Sequence, residues 1–252
     1  MKTIAAIAAL LATTALAGAT EMKVCVEGAY PPMSMMNEKG EIVGMDIDLT
    51  NALCAEIGVD CPLVKTDWDA MIPSLLEGKC DAIIASMSIT PERAQVVAFT
   101  QKYLQSPNMF IGKADAGLTD TTEGLSGKRV GVQRGTIAHD FMAGEFPDVE
   151  LGLYGSEEEI YLDLTAGRID AAFVDAGTGE IAFLSTPAGE GFAFFGAPHR
   201  EVEYFGEGAG IALRPGEDEL REKLNGAIKA IRANGKYMEI NNQYFSTDQY
   251  GE

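Results

Sequence analysis

The chain is poor in positive charge: 19 Lys and Arg stand against 38 Asp and Glu, a formal net charge of −19. No nucleic acid is expected as a partner, because holding phosphates needs clustered Lys and Arg. A solvated acidic surface accounts for most of this charge, so only carboxylates at special positions carry further meaning. Histidine is scarcer still. His139 and His199 lie far apart, with no Cys or carboxylate at metal-ligand spacing, so no metal is expected. No nucleophile motif is present, and the two glycines of GVQRGT lack the spacing of a dinucleotide or phosphate fingerprint, so no cofactor is expected. Past residue 19 no apolar run approaches the roughly 20 residues that cross a bilayer, and the chain is not expected to be membrane-embedded.

The one long apolar run is at the start. Lys2 precedes small and apolar residues from Ile4 to Ala19, ending in Ala15-Leu16-Ala17 and Ala17-Gly18-Ala19. This is the pattern of a cleaved secretory signal over residues 1–19, and it predicts export to the periplasm. A lipid anchor would place a Cys directly after that run, whereas the first, Cys25, falls inside an expected strand. Four Cys in an exported chain point to disulfides rather than thiol or metal chemistry. Cys54 and Cys61 enclose a short loop between a helix and a strand, where a bridge contributes about 2.5 kcal/mol by loop-closure arguments. Cys25 and Cys80 form a second bridge if their strands are neighbours, and are buried thiols otherwise.

After the signal, short apolar strands alternate with helical patterns: KVCVEG, DIDLTNALCAEIG, CPLVKT, WDAMIPSLLEG, DAIIASMS. Such alternation predicts an α/β fold, a mostly parallel sheet flanked by helices. Gly58 and Gly78 stand where helix C-caps belong, and Thr90-Pro91 has the form of an N-cap followed by proline at the first helical position. The pattern then restarts with GKRVGVQRGT, VELGLYG, SEEEIYLDLTAG, which opens with a Ser156/Glu159 capping box, and DAAFVDA. LLEGKCDA (Leu75 to Ala82) aligns with LTAGRIDA (Leu164 to Ala171), and the same offset sets Ser86 opposite Asp175. The repeat predicts two similar lobes, joined by extended crossings near YLQSPNMFIGK and HREVEYFGEG. Lobe 1 is expected over residues 20–107 and 204–252, and lobe 2 over 108–203. Two crossings make a hinge.

In open α/β sheets ligands bind beyond the carboxyl ends of strands. Those ends carry Glu27, Tyr30, Trp68, Ser86 and Ser88 in the first lobe, and Gln133, Thr136, Ile137 and Asp175 in the second. Ser88, Thr90 and Arg93 surround the start of the helix expected at Pro91, where free N–H groups and a guanidinium fork suit a carboxylate. Asp175 supplies an acceptor for an ammonium, or simply caps the next helix. Glu27 ends an apolar strand, where a buried carboxylate is costly unless a cation pairs with it. Tyr30 and Trp68 offer faces to the stem and planar head of an arginine, or ordinary core packing. The whole set fits a small zwitterion with an extra positive charge.

These residues sit in motifs that resemble a known family. EGAYPPM, GMDIDLTNALCAEIGVDC, DWDAMIPSLLEGKCDAI, ASMSITPERAQVVAFT, GKRVGVQRGT, LTAGRIDAAFVD and YFSTDQYG, in that order, are similar to the binding proteins of polar amino acid ABC transporters that take lysine, arginine, ornithine or histidine. The resemblance implies the two-lobed periplasmic binding protein fold (type II), which closes on its ligand about the hinge. By it, Tyr30 and Trp68 match an aromatic pair holding the ligand side chain, Glu27 the acid near its cationic head, and Ser88 and Arg93 the carboxylate binders. Ala85 and Ser86 match contacts on the same strand, Ile137 a main-chain donor after Thr136, and Asp175 the ammonium acceptor. Cys54 and Cys61 match a disulfide of the family. Ala85 replaces a Ser of some relatives, and Glu27 is longer than the Asp of the lysine and histidine binders, which favours arginine.

The expectation is therefore a monomeric solute-binding component, not an enzyme, that carries a basic amino acid, arginine first, to ABC transporter permease subunits. A periplasmic enzyme on the same fold, similar to cyclohexadienyl dehydratase, is the competing reading.

Overall fold

The computed structural model describes residues 21–251, so the signal expected over residues 1–19 lies outside the described residues. The chain opens with strand β1 (Val24–Val26), then a small antiparallel sheet of β2 (Ala29–Tyr30), β3 (Ser34–Met36) and β4 (Ile42–Val43). Helix α1 (Met45–Ile57), β5 (Leu63–Lys65), α2 (Met71–Leu76), β6 (Ala82–Ile83) and β7 (Ala98–Leu104) follow. The chain then passes into β8 (Asn108–Lys113), β9 (Arg129–Gln133), α3 (Ile137–Glu145), β10 (Glu150–Tyr154), α4 (Glu157–Thr165), β11 (Ala171–Asp175), α5 (Ala176–Gly179) and β12 (Phe192–His199). It returns through α6 (Val202–Phe205) to β13 (Ala209–Leu213) and ends in α7 (Asp218–Ala233) and α8 (Lys236–Tyr244).

Two five-stranded sheets result, ordered β5-β1-β6-β13-β7 and β10-β9-β11-β8-β12. In each, the first three strands are parallel and the last two run antiparallel to the third or to each other. The orders superimpose element for element, β6 on β11, as the repeat LLEGKCDA/LTAGRIDA predicts. The fold is a two-lobed α/β architecture, with β13 and the last two helices returned to the first sheet.

Both faces of each sheet are covered, because successive strand residues point to opposite sides. Val24 and Val26 join Leu49 and Leu53 of α1 and Leu224, Ile228 and Ile231 of α7. Cys25, between them, faces Met71 and Leu75 of α2. The second sheet repeats the division: Phe110, Val132 and Phe173 pack on Phe141 and Met142 of α3, and Ile111, Ala172 and Val174 on Ile160 and Leu164 of α4. The spacing of Leu224, Ile228 and Ile231 is the apolar stripe of a helix lying on a sheet. Gly58 ends α1 with φ 71°, a left-handed C-cap.

Cys54 bridges Cys61, and Cys25 of β1 bridges Cys80, two residues before the neighbouring strand β6, with Cα atoms 5.7 Å apart on the α2 side of the sheet. One local expectation is corrected. The helix expected from Pro91 is a single 3-10 turn, Arg93–Gln95, because Val97 is buried and β7 begins at Ala98. The second crossing runs through α6, whose Tyr204 and Phe205 rings pack on Phe141 of α3.

Candidate functional site

The carboxyl ends of the parallel strands in both sheets converge on one cavity, with about 880 Å³ of empty volume including its mouth. Its wall contains Glu27, Tyr30, Trp68, Ala85, Ser86, Ser88 and Arg93 from the first lobe and Gln133, Thr136, Ile137 and Asp175 from the second. The strand-end residues singled out in the sequence thus meet at one place, while Thr90 stands behind the wall at the turn that carries Arg93. Glu157, Ser106, Asn108 and Arg200 also line it and were missed. Ser106 and Asn108 sit in the first crossing. Glu157 opens α4 within a run of three acids, which reads as ordinary helix capping; its position just beyond β10 was the available signal.

Glu27 follows β1 and is 5% exposed. Its Oε1 accepts a 2.6 Å hydrogen bond from Gln133 Nε2, across the cleft from the end of β9. Burial pushes its pKa up to about 7, only partly offset by Gln133, with Asp67 and Asp46 adding to the rise. Glu157 is 7% exposed, and its Oε2 accepts bonds from the hydroxyls of Tyr161 (2.9 Å) and Thr178 (3.2 Å). Burial, then Asp175 and Glu27, push it up to about 8. Asp175, at the end of β11, caps α5 by accepting from Thr178 N at 3.0 Å, so the capping role and a place in the wall hold together. Burial raises its pKa also.

Arg93 shares the cationic part of the wall with Arg200. The Arg93 guanidinium donates to Ser88 O (3.1 Å) and Gly135 O (3.5 Å) and sits 5.4 Å from the centre of the Trp68 ring. Burial lowers its pKa to about 10, so it stays charged near neutrality. Thr90 Oγ1 accepts from Arg93 N at 3.2 Å, which fixes the turn that aims the side chain. With no full helix at Pro91, the helix start facing the cavity is that of α3. Thr136 caps it by accepting from His139 N and donating to Gln133 O at 2.7 Å, and Ile137 and Ala138 line the wall. Free N–H groups at that start suit an anion.

Ser86 takes φ 52°, in the left-handed region that side chains with a Cβ seldom adopt. It is held there from behind. Its N–H donates to Tyr103 Oη (2.8 Å), and its hydroxyl and that of Tyr103 both donate to the fully buried Asp46 carboxylate, at 2.9 and 2.8 Å. The lobes also touch directly: Trp68 Nε1 donates to Gly135 O at 2.8 Å and Arg134 pairs with Asp69 at 2.8 Å. Among the described residues no group of His, Cys, Asp and Glu is arranged to hold a metal.

A cavity between two lobes that carries two buried carboxylates, a half-buried third, two guanidiniums and a helix start is built for a small, multiply charged molecule. The comparisons agree. The model of the bacterial extracellular solute-binding proteins, family 3, matches residues 22–247. An L-arginine-binding protein of Pseudomonas aeruginosa is 44% identical over 257 positions, covering 100% of this chain and 99% of that one. The histidine-binding periplasmic protein of Escherichia coli K12 is 40% identical, covering 95% of this chain and 94% of that one. Among solved structures, a periplasmic binding protein of Salmonella typhimurium described by its high arginine specificity superimposes with a TM-score of 0.83 at 28% identity, over 90% of this chain and 100% of that one. The chain belongs to the bacterial extracellular solute-binding proteins, family 3.

Proposed function

We propose that this chain is the periplasmic solute-binding component of an ABC importer, that it holds a cationic amino acid in the interlobe cavity, and that L-arginine is its first ligand. Ornithine, lysine, histidine and opines rank behind. The carrying observation is Glu27: a carboxylate 5% exposed, with a single hydrogen bond, in a cavity it shares with Tyr30 and Trp68. A buried anion without a countercharge is costly, and a ligand cation supplies one. The α-carboxylate goes to Arg93, Ser88 and the start of α3, and the α-ammonium to Asp175 and the Ser86 main chain. Relatives that bind arginine and histidine by name support the same reading. They are also binding proteins rather than enzymes, and the cavity carboxylates are taken up by a cationic zwitterion. The protein acts as a monomer that hands its ligand to the permease.

Calorimetry with arginine, ornithine, lysine, histidine, glutamine and prephenate is the test. Arginine should bind most tightly and prephenate should yield no product. Absence of binding by every basic amino acid overturns the reading, as does turnover of prephenate. Glu27→Ala should weaken arginine by about tenfold or more, the scale of a lost charged hydrogen bond, and glutamine by much less.

A further inference from the structure

We propose that Glu157 is the second-lobe half of a carboxylate clamp whose first-lobe half is Glu27, and that the clamp closes on the cationic head of the ligand side chain. The inference rests on the cationic-ligand reading and names the residue that makes the second lobe sense that charge.

The two carboxylates are matched across the cleft. Glu27 follows β1 of one sheet and Glu157 opens α4 after β10 of the other, and both line the same cavity. Each is held by the protein through one oxygen. On Glu27 the bond from Gln133 falls on Oε1, and on Glu157 the bonds from Tyr161 and Thr178 both fall on Oε2. Among the described residues Glu27 Oε2 and Glu157 Oε1 accept no hydrogen bond, and neither is a sealed, unpartnered atom; the only such atom is His199 Nε2. Two free carboxylate oxygens from opposite lobes therefore open on one cavity.

A guanidinium suits that geometry. It is planar and presents five N–H donors on three edges, so it can bond two carboxylates in different directions at once. An ammonium offers three donors at one point, and a neutral urea or amide brings no charge to offset two buried anions. The groups facing Glu157 give it no cation of its own. Asp175 and Glu27 raise its proton affinity, Tyr161 and Thr178 supply only hydroxyls, Tyr30 is a neutral phenol, and Glu158 is a further acid beside it. Arg93 and Arg200 share the cavity wall, and Arg93 is bonded to Ser88 O and Gly135 O. With no ligand the site holds a proton on its carboxylates at neutral pH; an arriving guanidinium replaces it, so binding releases protons.

The test compares L-arginine with L-citrulline, which keeps the shape and replaces the guanidinium by a neutral urea, on the full protein and on Glu157→Gln. The exposed neighbour Glu158→Gln serves as control. Glu157→Gln should weaken arginine by about tenfold or more and citrulline by less than about threefold. It should also lower the proton release at pH 7, read from binding enthalpies in two buffers of different ionisation enthalpy. Glu158→Gln, which removes only an exposed charge that acts on Glu27 from outside the cavity wall, should leave the arginine-to-citrulline ratio unchanged. An arginine-to-citrulline ratio and a proton release both unchanged in Glu157→Gln overturn the clamp while leaving the function standing. A wild-type protein that binds no arginine overturns both. Should Glu157→Gln not fold, Glu157→Asp, which keeps the charge but withdraws it by one methylene, should still lose arginine more than citrulline; equal losses overturn the clamp.

Discussion

At the residue scale the cavity depends on a side chain that does not line it. Asp46 is fully buried, accepts from Ser86 and Tyr103, and is pushed up to about 7 by desolvation, those two bonds offsetting part of the rise. It anchors the hydroxyl of a serine whose φ of 52° costs backbone strain, so that the Ser86 main chain faces the cavity. Asp46→Ala leaves the buried Tyr103 hydroxyl and the half-buried Ser86 hydroxyl without their acceptor and should lower stability by about 1–3 kcal/mol, measured by urea unfolding. It should weaken arginine binding too, because Ser86 is freed to relax. Asp46→Asn keeps an acceptor in place and should do less on both measures. Equal effects of the two substitutions would mean that Asp46 acts only by filling space.

At the element scale, repetition was the most legible feature. The offset that aligns LLEGKCDA with LTAGRIDA lays β6 on β11, and the two sheets share one strand order. Local signatures served unevenly. Thr136 is a true N-cap of α3, whereas the equally good signature Thr90-Pro91 opens only a 3-10 turn. The difference lies downstream: nine helical residues follow Thr136, while burial of Val97 and the start of β7 at Ala98 end the turn after Thr90. Propensity proposes and tertiary demand disposes. Thr136→Ala removes the cap of α3 and should cost about 1 kcal/mol of stability in urea unfolding. It should also weaken amino-acid binding, since the N–H groups of that first turn lose their alignment toward the cavity. A loss of stability with unchanged affinity would place the ligand carboxylate on Arg93 alone.

For the whole molecule the surplus of buried acid sets a pH dependence with a definite sign. Glu27 and Asp46, both raised to about 7, and Glu157, raised to about 8, hold protons in the folded state that the unfolded chain has released. Their favourable contribution is complete below the ordinary carboxylate range and is lost as pH rises through about 7 and then about 8. The ligand-free protein should therefore show a falling urea midpoint from pH 5 to pH 8. With saturating arginine the fall should be shallower, because a guanidinium replaces the protons on Glu27 and Glu157. A midpoint that rises over this range without ligand would contradict the burial of these acids. The same proton exchange makes arginine affinity increase with pH across that window, checked by calorimetry at pH 6, 7 and 8.

Sequence alone determined the alternation of strand and helix, the doubling of the lobe, and the positions at strand ends where Glu27, Ser86, Gln133 and Asp175 stand. Each of these is encoded within one element or one repeat, where periodicity and spacing are enough. Only the tertiary structure decided that Cys25 meets Cys80, that Asp46 holds Ser86 from behind, and that Glu157 opens on the same cavity as Glu27. Those pairings join residues far apart in the chain, and no local pattern marks them. They exist because parallel strands bring their carboxyl ends to one edge and two such edges face each other, so that buried charge is concentrated where a ligand can neutralise it.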